Sequence, residues 1–236
     1  MKTIIIGTYY QLMTFFRIKK ALFFAFFFPS FVYVIFSLIW GVENEDYQTF
    51  LVTGIIIMTT SSDALFTIGG VINEYYQNGL IKFFKTTPFK FSLHIISLIL
   101  SRILIVAISS FIILILAVCI GKLRFTIGDI IHIIIGIITA LIIFSLIGIL
   151  VAELTKEHSA NSGTLNMIFY GVIFLSDTFY PLTDLNPAFN IVVMLNPITP
   201  ALELARGIIH IIPALLWIGV LSLLHYFYYI HNQIKR

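Results

Sequence analysis

Two charged residues inside apolar stretches are the first candidates for chemistry in this sequence. Asp63 and Arg102 lie in different apolar runs, each roughly ten residues from one end of its run, or about 15 Å along a helix. If these runs cross a membrane, an unpaired charge at that depth costs about 2.5 to 3.5 kcal/mol. We therefore expect Asp63 and Arg102 to approach one another or to face a watered cavity. Alternatively, Arg102 extends toward the surface and Asp63 bonds to Thr60, Ser61 or Ser62.

Motifs for covalent, metal or nucleotide chemistry are incomplete. ANSG at 160–163 approaches the G-x-S-G of an intramembrane serine protease, with Ser162 as nucleophile and His225 on a later run, but its first glycine is missing. The histidines form no H-E-x-x-H or other clustered pattern, so no metal site is predicted. Gly121-Lys122 lacks the glycine loop of a G-x4-G-K-[ST] nucleotide site. We predict no catalytic residue, cofactor, metal or nucleic-acid partner for this chain.

The stretch 74–88, EYYQNGLIKFFKTTP, separates two apolar runs and has helical spacing. Its apolar residues recur at i, i+4, i+7 and i+8, namely Tyr76, Leu80, Phe83 and Phe84. The opposite face is polar and basic, with Asn78, Lys82, Lys85 and Thr86. Pro88 lacks an amide donor and disfavours helix at Thr87, so the helix is predicted to end there. Such a helix is expected to lie along the membrane surface, where a partner could press on it.

Composition identifies the class of protein that holds these residues. The 236 residues are 59% hydrophobic and 11% charged, against about a quarter charged in a soluble domain. The chain has too little polar surface to dissolve, so it is predicted to be an all-α integral membrane protein with one domain over 1–236. Residues 1–20 combine helical apolar spacing with Arg17, Lys19 and Lys20, which predicts an N-terminal interfacial helix.

Six segments have roughly the 20 residues needed to cross a bilayer. They are Ala21 to Trp40, Phe50 to Ile72, Leu93 to Ile120, Ile130 to Val151, Ala160 to Phe179 and Ile211 to Ile230. With six spans, most lysines and arginines lie on one side and most acidic residues on the other. Because the positive side is normally inside, both termini and the 74–88 helix are predicted to be cytoplasmic.

The last external stretch, 180–209, contains four of the seven prolines. Between them runs AFNIVVML, which is too short to cross a membrane and too apolar for a loop in water. We predict a re-entrant or interfacial segment that packs on protein. Glu203 and Arg206 are three residues apart and could pair on one helix face, as a local surface pair or as part of an external gate.

Two of these stretches together resemble a known family. The pattern E-x4-G-x7-T-P, here Glu74, Gly79, Thr87 and Pro88, lies between spans two and three. FYPLTDLNPAFNIVVMLNPITPALELARG lies before span six. In this order the pair is similar to the membrane subunits of type-2 ABC transporters, which are mostly exporters. Gln77 departs from the pattern, because many members carry a second acidic residue at that place.

The resemblance implies a coupling helix over 74–88 that docks on a separate ATPase subunit, shaped by Glu74, Gln77, Gly79, Lys82, Lys85, Thr87 and Pro88. It implies a working unit of two membrane subunits and two ATPases, with ATP and Mg bound by the ATPase, in a bacterial or archaeal cell membrane. It also makes the stretch with Pro181, Pro187, Glu203 and Arg206 the external gate. The route would lie between two copies, lined by parts of spans one, two and five.

The expected function is therefore that of a permease of an ATP-driven exporter. A narrow apolar route between copies suits amphiphilic or hydrophobic cargo such as drugs, peptides, lipids or lipid-linked glycans. Two alternatives remain open, the intramembrane serine protease and a secondary transporter. A secondary transporter favours internal repeats and several polar groups at mid-depth, whereas the sequence has no repeat and only Asp63 and Arg102 there.

Overall fold

The architecture is helical throughout the residues described by the computed structural model, which are 2–41, 44–80, 91–155 and 158–234. Turns join the helices, and no strand occurs in these ranges. In chain order the helices are α1 (Lys2–Arg17), α2 (Lys19–Trp40), α3 (45–77), α4 (Phe91–Cys119), α5 (Ile127–Leu154), α6 (His158–Phe174), α7 (Leu182–Leu185), α8 (Asn190–Met194), α9 (Thr199–Ala205) and α10 (Ile211–Ile234). The predicted all-helical class is confirmed for the described residues.

Five helices, α2, α3, α4, α5 and α10, are long and apolar enough to cross a membrane, and they match five of the six predicted spans. The remaining predicted span, 160–179, is shorter than expected. Helix α6 ends at Phe174, and its 17 residues cover about 25 Å, against about 30 Å for the hydrocarbon core. Further on, Pro187–Met194 and Thr199–Ala205 form a pair bent by 96°, which is either a broken span or a re-entrant loop.

Helix α6 stops early because side chains bind its last carbonyl groups. The Asn196 amide nitrogen donates to the carbonyl oxygens of Val172 and Leu175, both at 2.9 Å. The Ser176 hydroxyl donates to the Ile173 carbonyl oxygen at 2.8 Å. These are carbonyl groups that the end of a helix leaves without a helical partner. The apolar pattern continues to Phe179 and gave no sign of this ending.

Helix α3 forms the core of the protein. All of its residues from 51 to 61 are buried, as expected of a helix that is apolar on every side. Helices α2, α4, α5 and α9 pack around it. This part of the second span is enclosed within one copy, so it does not line a route between copies in this conformation.

Helices α3 and α5 cross with their backbones in contact. An added Cβ at Gly69 of α3 would lie 2.9 Å from the Cα of Gly148 on α5. Lipid tails are as apolar as the helix surfaces, so close van der Waals packing at small residues is what stabilises such a crossing. The two glycines thus keep α3 packed on α5 at a point that is C-terminal to Asp63 along α3.

Helices α2 and α3 each contain a π-helical turn, at Phe23–Phe27 and Ala64–Ile68. Such turns disturb the regular hydrogen bonding of a helix and are frequent at functional sites. The Ser109 hydroxyl of α4 donates to the Ala25 carbonyl oxygen, inside the first of these turns, at 2.7 Å. Asp63 immediately precedes the second one.

Helix α1 lies along the beginning of α4. The Ser97 hydroxyl is 3.2 Å from the Ile4 carbonyl oxygen, and the Thr8 hydroxyl is 3.4 Å from that of Ser97. The opposite face of α1 exposes large apolar side chains, namely Ile5, Ile6, Tyr9, Tyr10, Met13 and Phe16. Over 2–17 the chain is therefore helical as predicted for the segment 1–20, while its place at the membrane surface stays a prediction.

Candidate functional site

The predicted coupling segment begins differently from the expected helix 74–88. Glu74 and Gln77 lie in the last turn of Gly69–Gln77, the C-terminal end of α3, and both are exposed. The expectation that a helix begins at Glu74 is wrong, because α3 continues through this residue to Gln77. A carboxylate near a helix C-terminus is unfavourably placed for the dipole.

Gly79 ends this helix. Its φ of +68° is a left-handed conformation that glycine adopts without strain, and an added Cβ would meet nothing within 4 Å. The role of Gly79 in the structure is therefore conformational, not one of close approach within the chain. Lys82, Lys85, Thr87 and Pro88 lie outside the described residues.

Asp63 and Arg102, predicted to approach one another, lie close together between α3 and α4. Arg102 Nη1 is 3.5 Å from Asp63 Oδ1, and the two side chains are only 6% and 13% exposed. The Thr67 hydroxyl is 3.3 Å from the same carboxylate oxygen. Asp63 Oδ2 and Arg102 Nε are buried without a hydrogen-bond partner among the described residues. The pair is thus only partly satisfied, at the edge of the π-helical turn of α3.

The N-terminal helix reaches the same pair. The guanidinium carbon of Arg102 lies 5.0 Å from the ring centroid of Phe15, which is 6% exposed. A cation at this distance from an aromatic face is attracted by the ring. Arg102 therefore joins three elements: α1 through Phe15, α3 through Asp63, and its own helix α4.

Arg206 binds the segment 180–209 to the N-terminal part of α3. Its Nη2 donates to the Asp177 carbonyl oxygen at 2.6 Å and lies 3.4 Å from that of Phe50. Its Nε lies 3.2 Å from the Thr53 hydroxyl, and its guanidinium carbon is 3.7 Å from the centroid of the Phe50 ring. Burial lowers the pKa of the Arg206 guanidinium to about 10, so the group stays charged at neutral pH.

The predicted pairing of Glu203 with Arg206 is wrong. Glu203 Oε2 instead lies 3.2 Å from His210 Nδ1, and Arg206 turns inward to the contacts described above. Residues three apart on a helix can pair, but here Arg206 follows the end of α9 and finds three acceptors, on Thr53, Phe50 and Asp177. Sequence spacing could not show that α3 and the 175–180 turn would offer them.

The two prolines predicted for the gate have different surroundings. Pro181 is half-buried and precedes the short helix α7, whose first residue, Leu182, donates its amide to Asp177 Oδ1 at 2.8 Å. Pro187 is exposed and begins the 3-10 turn before α8. The first part of the bent pair, Pro187–Met194, is largely exposed, whereas its second part, α9, is buried against α5.

A comparison with known protein families identifies the family of this chain. The sequence model of the ABC-2 type transporter family matches residues 3–210. The chain belongs to this family. No curated protein matches it.

ABC-2 type transporter membrane domains are the transmembrane subunits of ABC transporters, and this chain is such a multi-pass permease subunit. Subunits of this family normally carry no ATPase site and act with a separate ABC ATPase. The described residues contain no group of three or more His, Cys, Asp or Glu side chains that could hold a metal ion.

The ABC-2 permease also contains a buried polar cluster that the sequence reasoning missed. Asn73, fully buried near the end of α3, donates from Nδ2 to the Thr155 carbonyl oxygen at 3.3 Å. Gln77 Nε2 donates to Asn73 Oδ1 at 3.0 Å. The spacing of Asn73 and Gln77, four apart at the C-terminal end of an apolar run, was the available signal.

Proposed function

We propose that this permease exports amphiphilic or hydrophobic cargo as a dimer of two copies, driven by two copies of a separate ATPase that binds ATP and Mg. The observation that carries the proposal is the course of α3. This one helix runs from the contacts of Arg206 at Phe50 and Thr53, past Asp63, to Glu74 and Gln77. A push on the coupling segment at its cytoplasmic end would reach both the intramembrane pair and the external segment.

The exposed surfaces support a route for apolar cargo between copies. Helix α6 exposes Met167 and Phe174 by 80% and 70%, and α2 exposes a row of phenylalanines. The proposed route runs along α2 and α6, with six spans, both termini cytoplasmic and the external segment 180–209 as its gate. The positive-inside distribution supports this orientation in a bacterial or archaeal cell membrane.

The end of α3 at Gly79 provides the test of ATPase coupling. Gly79→Val would strain the left-handed backbone and redirect the coupling segment, whereas Gly79→Asn would tolerate it. We expect the ATPase to co-purify with the wild type and with Gly79→Asn, and to be lost with Gly79→Val. Equal recovery with both variants would exclude the 74–88 segment as the docking element.

The energy source separates the proposal from its alternatives. Export into proteoliposomes should need ATP and the ATPase, and should persist when a protonophore collapses the proton gradient. A secondary transporter would give the opposite result. For the protease alternative, His225 Nδ1 lies 3.0 Å from Glu153, and no described hydrogen bond joins it to Ser162. Labelling of Ser162 by a fluorophosphonate probe would revive that alternative.

A further inference from the structure

The cytoplasmic end of α3 is hydrogen-bonded to the place where α5 ends and α6 begins, which we name the α5–α6 junction (residues 153–155 and 158–161). Asn73 donates to the carbonyl oxygen of Thr155 at 3.3 Å. Thr155 is the C-cap of α5 and has an extended backbone, so its carbonyl group has no partner in the helix. The amide of Asn73 supplies that partner from a different helix.

The same threonine continues the connection to α6. Its hydroxyl lies 2.7 Å from the Val151 carbonyl oxygen and 3.0 Å from Asn161 Oδ1, and donates its single proton to one of them. Asn161 is fully buried in the first turns of α6; its Oδ1 faces the Thr155 hydroxyl, and its Nδ2 has no hydrogen-bond partner among the described residues. Loss of the remaining contact would leave the whole buried amide unpaired, so this contact favours one relative position of α5 and α6.

Helix α10 is attached to the junction as well. His225 Nδ1 lies 3.0 Å from Glu153 Oε2, and the Tyr228 hydroxyl donates to the Glu153 carbonyl oxygen. The Glu153 side chain is 6% exposed. A movement of the α5–α6 junction would therefore involve three helices, α5, α6 and α10.

The geometry of α3 favours transmission at Asn73. One turn before it, Gly69 is in backbone contact with Gly148 of α5, so the two helices are closely packed at that level. Asn73 lies four residues later, on the same side of α3. A tilt of the end of α3 about the glycine crossing would be passed to the junction through the Asn73–Thr155 hydrogen bond.

We propose that Asn73 is a positioning residue that couples the 74–88 segment to α5 and α6. This inference rests on the proposed function and extends it. The covalent connection of the coupling segment reaches only α3 and α4. The end of α3 also packs directly against α6, the helix that presents its exposed face to the proposed route, and the Asn73 hydrogen bond adds a polar connection beside that packing.

The test compares the movement of α6, reached through Asn73, with that of α4, reached through the covalent chain. It uses the complex with its ATPase in lipid nanodiscs. In a Cys119→Ser background, a bimane fluorophore is placed on α6 at Met167→Cys or on α4 at Leu104→Cys, which are 80% and 47% exposed. The change in fluorescence on adding ATP and vanadate is measured at each position. We expect the wild type to respond at both.

Asn73→Leu keeps the approximate volume and removes the hydrogen bonds. We expect the response at Met167→Cys to fall by about fivefold or more, while that at Leu104→Cys is retained. Asn161→Leu removes the contact between Thr155 and α6, and should lower the response at Met167→Cys in the same way. This variant serves as the test if Asn73→Leu does not fold. The matched control is Asn190→Leu, which replaces an exposed asparagine without a side-chain hydrogen bond among the described residues.

The outcomes separate this inference from the proposed function. An unchanged response at Met167→Cys in Asn73→Leu, or an equal loss at both positions with the ATPase still bound, overturns the role of Asn73 alone. Absence of a nucleotide response in the wild-type complex, or failure of the ATPase to co-purify, overturns the proposed function and this inference together.

Discussion

At the scale of single residues, buried polar side chains in this permease bind backbone carbonyl groups that the helices leave free. Ser109 binds the π-helical turn of α2, Asn196 binds the end of α6, and Asn73 binds the end of α5. A buried carbonyl group without a partner is costly, and side chains from neighbouring helices supply one here. Arg206 and Asp63 differ because they add a charge that needs a partner.

The Asp63–Arg102 pair should be needed for stability. Asp63→Asn leaves the Arg102 charge buried without a counterion, which should lower the free energy of unfolding by about 3 to 5 kcal/mol. Exchange of the two charges, Asp63→Arg with Arg102→Asp, should recover part of the loss. The measurement is the thermal unfolding midpoint of the purified protein in detergent.

Asp184→Asn is the matched control for this experiment, because Asp184 is an exposed carboxylate in the external segment. It should leave the midpoint unchanged. A midpoint for Asp63→Asn equal to that of Asp184→Asn would show that the pair does not stabilise the fold.

Arg206 should hold the external segment against α3. Arg206→Leu removes the donors to the Asp177 and Phe50 carbonyl oxygens, at a cost of about 1.5 to 3 kcal/mol. Arg206→Lys keeps the charge without the planar fork and should be intermediate. The measurement is the rate at which an added protease cleaves within 180–209. The control is Arg124→Leu, at an exposed arginine outside this segment, and this variant is expected to be cleaved at the wild-type rate.

At the scale of elements, the crossing of α3 and α5 fixes the centre of the molecule. Gly69 and Gly148 permit the contact, and α9 packs on the other end of α5. Of the bent pair, α9 therefore packs against the core, whereas Pro187–Met194 stays exposed. Helix α5 therefore connects the segment 180–209 to the α5–α6 junction.

Replacing either of two adjacent glycines of α3 by alanine should change the stability of the protein in opposite directions. At Gly70 an added Cβ meets nothing within 4 Å, so Gly70→Ala should raise stability by about 0.5 to 1 kcal/mol through helix propensity. At Gly69 the Cβ would lie 2.9 Å from Gly148, so Gly69→Ala should lower stability by about 1 to 3 kcal/mol. Thermal unfolding of the two variants side by side is the measurement, and shifts of the same sign would contradict the backbone contact.

At the scale of the whole molecule, the central helix α3 is buried and several outer helices expose large apolar side chains. Residues 51–61 of α3 are buried, whereas α2, α6, α8 and α10 expose large apolar side chains. Lipid covers such surfaces, and so does a second copy. The proposed dimer requires that α6 face its counterpart.

Disulfide cross-linking tests that arrangement. In a Cys119→Ser background, Met167→Cys on α6 should give cross-linked dimers in native membranes under mild oxidation. Leu216→Cys on α10, with a 62% exposed side chain, should give few. Cross-linking at Leu216→Cys and not at Met167→Cys would place the interface on α10 instead.

By itself the sequence determined the membrane class and five of the spans, because long apolar runs have few stable alternatives in a bilayer. It also led to the approach of Asp63 and Arg102, since two opposite charges at similar depth on consecutive spans have few other partners. The family resemblance drawn from 74–88 and 179–207 agrees with the match over 3–210.

Only the tertiary structure decided the partners of Arg206, Glu203 and Asn73, and the early end of α6. Each depends on a carbonyl group or side chain that is distant in the chain and becomes available only when the helices pack. Helical periodicity describes which face of a segment is apolar, but it contains no information on which helix end will lie opposite that face. Hydrogen bonds between helices follow from that packing, so the sequence pattern could not predict them.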